Sequence, residues 1–93
     1  MKKGMLLKKK ISHHNPDIYI LVKGVYGREI IADMYLLSNE MEQDRRIRGV
    51  LLPAAPLVEN FRVIHPFSPE MDLVRSLFRL PSRHSEVPGI SQP

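Results

Sequence analysis

The chain has 93 residues, 43% of them hydrophobic and 26% charged, which suits one small domain with one core and leaves little room for a second. Cysteine is absent, which excludes disulfide frameworks, thiolate metal sites and cysteine nucleophiles together. The net charge of +4 is unevenly placed: residues 1–23 carry six lysines against one acid, Asp17, whereas the rest carries eight arginines against nine acids.

That break in composition after Lys23 predicts an arm joined to a domain. Residues 1–16 read as a flexible basic arm, with Lys2, Lys3, Lys8, Lys9 and Lys10 amid few apolar residues, and with a turn-like cluster at Ser12-His13-His14-Asn15-Pro16. Such an arm would be dispensable for folding. Lys8, Lys9 and Lys10 also occupy the place of a signal peptide's apolar region, and no apolar run approaches the roughly 20 residues of a spanning helix. The expectation is a cytoplasmic protein without membrane association.

Residues 17–81 read as a single α+β domain. Ile18, Ile20 and Val22 alternate with Tyr19, Leu21 and Lys23 as in an inner strand, Gly24 to Gly27 supplies a turn, and Arg28 to Leu37 resumes the extended pattern. These make a β-hairpin. A helix from Glu29 through Met41 competes with it, because Ile30, Met34, Leu37 and Met41 also fit helical spacing.

Asn39 and Glu42 resemble a capping box, which starts a helix near Glu40 with acids in its first turn and Arg45, Arg46 and Arg48 in its second half. Pro53 ends that helix at Leu52. A connection over Pro53 to Asn60 then leads into a strand from Phe61 to Phe67. Ser68-Pro69-Glu70 announces a second helix, with Ser68 as the cap, Pro69 at the first helical position, and Met71, Leu73, Val74, Leu77, Phe78 and Leu80 on its apolar side. Pro81 closes it, and residues 82–93 read as a disordered tail. The predicted fold is a small antiparallel sheet with two helices packed on one face.

Candidate chemistry is sparse. His13 and His14 are adjacent and diverge on any regular element, so they are no ligand pair. His65 fits a half-buried, hydrogen-bonded imidazole. No phosphate-binding glycine loop, nucleophile elbow or zinc-helix motif is present, so neither a metal, a cofactor nor a catalytic residue is assigned. Lys8, Lys9 and Lys10 are the candidate anion-binding residues, suited to nonspecific contact with phosphates, although no aromatic residue is interleaved with them for base stacking. Arg75, Arg79 and Arg83 at helical spacing could make an anion face, although Arg83 lies past Pro81; a solvated face with Asp72 pairing to Arg75 or Arg79 is the preferred reading.

Three stretches carry a resemblance. Gly27-Arg28-Glu29-Ile30-Ile31-Ala32-Asp33-Met34-Tyr35 resembles the first strand of the prokaryotic S-adenosylmethionine decarboxylases, with Glu29 where that family has histidine. Leu51-Leu52-Pro53-Ala54-Ala55 is similar to the end of the family's following helix, and His65-Pro66-Phe67-Ser68-Pro69 to its His-x-Phe-Ser-Pro strand end. The family-matching positions are Gly27, Arg28, Asp33, Tyr35, His65, Phe67, Ser68 and Pro69, without assigned roles. Beyond Pro69 the likeness stops.

The family's self-cleaving Glu-Ser-His sequence, whose serine becomes an electron-withdrawing pyruvoyl group, has no counterpart around Ser82, and its cysteine is missing. The resemblance therefore implies a decarboxylase-like half-domain from a polyamine-synthesis lineage, inactive alone, that associates with itself or with a decarboxylase-family partner. The alternative is a small basic protein that binds nucleic acid or another anionic partner through its lysines.

Overall fold

The structure, a computed structural model, describes residues 1–9, 17–38 and 44–80. The elements run β1 (Leu6–Lys9), β2 (Asp17–Tyr26), β3 (Glu29–Leu37), β4 (Arg45–Pro53), α1 (Ala54–Asn60), β5 (Arg62–Val63) and α2 (Met71–Phe78). They form an antiparallel five-stranded sheet in the order β4-β3-β2-β1-β5, with two helices, so the α+β class is borne out.

The β2–β3 hairpin is present. Tyr26 pairs with Glu29, leaving a two-residue loop in which Gly27 takes φ 64°. Positive φ at the first loop position alone is the conformation of a type II′ turn, whose twist matches the flanking strands and which favours glycine there. The hairpin tip is tied down where the Ala54 N–H donates to the Arg28 carbonyl at 2.9 Å.

Five expectations are corrected. The segment read as a mobile arm contains β1, which lies between β2 and β5 and pairs Leu6 with Leu21 and Leu7 with both Ile20 and Val63. Leu6 and Leu7 are 5% and 2% exposed, so burial of these leucines outweighs the charge of the lysines beside them. The helix expected from Glu40 to Leu52 is instead β4 over its second half, while residues 39–43, with the Asn39 and Glu42 capping pair, lie outside the described residues.

The expected connection from Pro53 contains α1. Pro56 is its third residue, within the first turn, where a missing N–H breaks no helical bond. The strand expected from Phe61 to Phe67 is reduced to Arg62 and Val63.

The two helices also lie on opposite faces of the sheet rather than on one. Leu6, Tyr19 and Leu21 pack with Ile64 and with Met71, Val74 and Phe78 of α2. Leu7, Ile20, Val22, Ile30 and Ala32 pack with Leu57 of α1. Alternation along β1 and β2 therefore feeds two cores, which is why both faces of β2 are apolar.

His13, His14 and Lys10, and the tail from residue 82 with Ser82, lie outside the described residues. Among the described residues, no helix is long and apolar enough to cross a membrane.

Candidate functional site

The most chemically distinctive place is a cleft of about 580 Å³ between the end of the β3–β4 pair and the outer side of α2, lined by Tyr35, Asp44, Arg46, Leu73, Leu77 and Arg79 among others. The sheet register explains one wall: Tyr35 is opposite Arg46, on the face that α2 covers. The Tyr35 ring meets the Phe78 ring edge-on, with centroids 6.3 Å apart and planes at 73°, which fixes its direction.

Asp44 is fully engaged with its own chain. Its Oδ1 accepts from the Ser38 N–H at 2.8 Å, and its Oδ2 accepts from the Tyr35 hydroxyl at 3.1 Å. Partial burial, followed by the hydrogen bond and charge of Asp44, raises the Tyr35 pKa above its ordinary value, and the Arg46 guanidinium offsets part of that rise. At neutral pH Tyr35 is therefore a neutral donor and not a base.

The arginines are differently placed. Arg46 donates from Nη2 to the Phe78 carbonyl at 3.3 Å, at the end of α2 where unsatisfied carbonyls and negative dipole charge collect. Its Nε is buried without a hydrogen-bond acceptor. Among the described residues neither Arg46 nor Arg79 has a carboxylate within ion-pair distance.

Arg79 is also the one non-glycine described residue at positive φ, 55°, where it caps α2 in the left-handed conformation. The Leu80 N–H donates to the Arg75 carbonyl at 2.8 Å, and the Arg79 N–H to the Ser76 carbonyl at 3.3 Å, closing the helix end. The cleft thus sets two cationic side chains beside an apolar wall of Leu37, Leu73 and Leu77, and Asp44, the one acid among its described lining residues, is already bonded on both oxygens.

The residues singled out from the sequence are scattered. Gly27 and Arg28 form the hairpin turn. Asp33 faces a bulge in β4, where Gly49 takes φ 67° and donates its N–H to Asp33 Oδ1 at 3.0 Å, so this carboxylate serves the backbone. Tyr35 alone among the family-matching residues lines the cleft.

His65, Phe67, Ser68 and Pro69 lie in and around the turn before α2. There the His65 Nδ1 accepts from the Phe67 N–H at 3.1 Å. His65 is exposed, not half-buried. The Ser68 hydroxyl donates to the His65 carbonyl at 2.8 Å and makes no cap, because α2 starts only at Met71 and its first turn is held by the Ser68 and Pro69 carbonyls.

The lysines differ from expectation as well. The Lys8 ammonium lies 3.8 Å from both Asp17 and Glu70 and 5.3 Å from the Tyr19 ring centroid, so its charge is spent inside the fold. Lys9 lies over the Phe61 ring at 5.9 Å, on the other face. Lys10 is outside the described residues, so the proposed lysine cluster is not assembled among those described.

Arg46 and Arg79 were missed for definite reasons. Arg46 read as the basic end of a helix, and Arg79 as a solvated helix residue, with an anion face shared with Arg75 and Arg83 as the lesser alternative. The available signal was the helix end itself, where Arg79-Leu80-Pro81 offers neither Gly nor Asn for the left-handed cap position. Among the described residues no group of His, Asp and Glu is arranged to hold a metal ion. No family model matches the chain, and no curated protein or solved structure matches it.

Proposed function

We propose that this domain is a non-catalytic binding module for a ligand that carries a carboxylate or phosphate on an apolar body, with Arg46 and Arg79 meeting the anion and Leu37, Leu73 and Leu77 the apolar part. The observation that carries this reading is Arg79 in a left-handed backbone conformation. That conformation costs a non-glycine residue about 1 kcal/mol or more, which glycine would avoid, so an arginine at this position carries a local cost. Guanidinium groups recognise carboxylates and phosphates by charge-assisted hydrogen bonds, and here Arg46 is half-buried and Arg79 exposed beside an apolar wall, which gives orientation as well as affinity.

The test is titration of the chain with octanoate and octyl phosphate, followed by amide chemical shifts, with octylamine as the control. Shifts at Leu73, Leu77 and Arg79 with the anions and none with the amine are expected. Equal response to the amine would defeat the reading, as would the same response in an Arg46→Gln and Arg79→Gln double variant.

Descent from the S-adenosylmethionine decarboxylases is a second reading, supported by the order of the Gly27 to Tyr35 and His65 to Pro69 stretches and by Tyr35 lining the cleft. On this reading the ancestry survives without the reaction. Intact mass spectrometry of the purified chain tests it: a single full-length mass is expected, and two fragments with a pyruvoyl group at Ser82 or Ser85 would make those residues catalytic.

A further inference from the structure

The sheet has two edges of unequal character. β5 is two residues long, whereas β4 runs from Arg45 to Pro53 and, among the described residues, pairs only with β3. Along the outer side of β4, alternate N–H and C=O groups have no strand among the described residues to bond to, which makes the edge a template for an added strand. Up to the bulge, in which Arg48 and Gly49 together oppose Asp33, this edge presents Arg45, Ile47 and Arg48, all exposed, with Ile47 at 40%. Arg45 and Arg48 have no carboxylate within ion-pair distance among the described residues.

We propose that the Arg45–Arg48 edge is a docking site for an extended acidic segment of a partner protein, added antiparallel as a sixth strand. The register dictates its chemistry: an acid opposite Arg48, an aliphatic residue opposite Ile47 on the α1 face of the sheet, and an acid opposite Arg45. The spacing is acid, aliphatic, any residue, acid.

Charge decides between this partner and a second copy of the chain. Two-fold pairing of β4 with itself through Arg45–Arg48 sets arginines against arginines, directly or diagonally, and like charges across a strand pair are destabilising. The same arginines that guard the edge against self-pairing thus attract an acidic strand. Arg46 takes no part, because its side chain is committed to the cleft and the Phe78 carbonyl.

The experiment uses the whole chain and a capped peptide containing Glu-Val-Thr-Glu, with two controls: the same peptide carrying Lys in place of Glu, and the Glu peptide with alternate backbone nitrogens methylated. Amide shifts and slowed hydrogen exchange over Arg45 to Val50 are expected with the Glu peptide alone. Reversal by Arg45→Glu with Arg48→Glu should weaken its binding roughly tenfold and admit the Lys peptide, from two cross-strand charge pairs of up to about 1 kcal/mol each. Arg45→Gln with Arg48→Gln, which keeps an uncharged polar surface, should weaken the Glu peptide and not admit the Lys one.

Equal binding of the methylated peptide would show charge attraction without strand addition and overturn the proposal. Shifts confined to Leu73, Leu77 and Arg79 would place the peptide in the cleft and overturn it too. A dimer of the chain alone that Arg45→Glu dissociates would assign the edge to a second copy instead.

Discussion

Leu6 and Leu7 are adjacent in sequence and buried in different cores, Leu6 beneath α2 and Leu7 beneath α1. Each side of the sheet therefore depends on β1. Leu6→Ala and Leu7→Ala should each cost roughly 2 to 5 kcal/mol, the range for truncating a buried leucine, and deletion of residues 1–9 should abolish cooperative unfolding. Urea denaturation checks both. A deletion variant that still unfolds cooperatively would remove β1 from the core.

Arg79 separates stability from binding. Arg79→Gly should raise stability by up to about 1 kcal/mol, since glycine adopts the left-handed cap without the Cβ penalty, while anion binding in the cleft falls. Thermal melts and the octanoate titration, run on one sample, give the two numbers. A destabilised Arg79→Gly variant would mean that the side chain holds the fold together rather than a ligand.

Glu70 should make stability sensitive to acid. Its carboxylate takes Arg62 in a bidentate pair at 2.7 and 2.8 Å, with Lys8 at 3.8 Å, and chiefly the Arg62 hydrogen bonds lower its pKa. A carboxyl lowered in the folded state stabilises the fold at neutral pH and loses that contribution as pH falls through its folded pKa. The pair is partly exposed and screened, so the gain is about 1 kcal/mol or less. Glu70→Gln should be slightly less stable at pH 7 and lose less between pH 5 and pH 3, read from melting temperatures. Parallel pH profiles for both proteins would deny the pair any such role.

The Tyr35 and Asp44 pair predicts the opposite dependence. A phenol whose folded pKa is raised stabilises the fold below the ordinary tyrosine range and stops doing so as pH rises through the folded value. Ultraviolet titration should show the Tyr35 phenol ionising late, and Asp44→Asn should bring it back toward the ordinary range by removing the carboxylate charge. An unchanged titration curve in Asp44→Asn would mean that Asp44 does not govern it.

How much of this was legible in the chain depended on whether the local period survived. Ile18 to Val22 alternates without interruption, and the glycines after it suit a tight turn, so the β2–β3 hairpin could be read. The apolar side of α2 was equally clear from Met71, Val74 and Phe78. β4 was not, because the Gly49 bulge shifts the alternation: Ile47, Val50 and Leu52 pair with Met34, Ala32 and Ile30 of the same core face, at spacings of three and then two. With acids before it and arginines within it, that pattern imitates a helix.

β1 was hidden differently. Lysines flank its two buried leucines, and Lys8 finds its acidic partners only once Asp17 and Glu70 come together. Of the cleft, Tyr35 was noticed for another reason, while Arg46 and Arg79 meet only through the turn of α2 across the sheet, a relation that local sequence does not contain.

The pairing of Leu7 with Val63 also sets an order of events. β1 to β4 make neighbouring hairpin-type pairings, but β5 must return across most of the chain to reach β1. Such a closure is the slow kind, since its loop entropy is lost before its contacts form. During synthesis the meander can assemble while Ile64 and α2 are still being made, and through that interval Leu6, Tyr19 and Leu21 stay uncovered. The nascent chain therefore passes through a stage with one wet face, which is where a chaperone would find it.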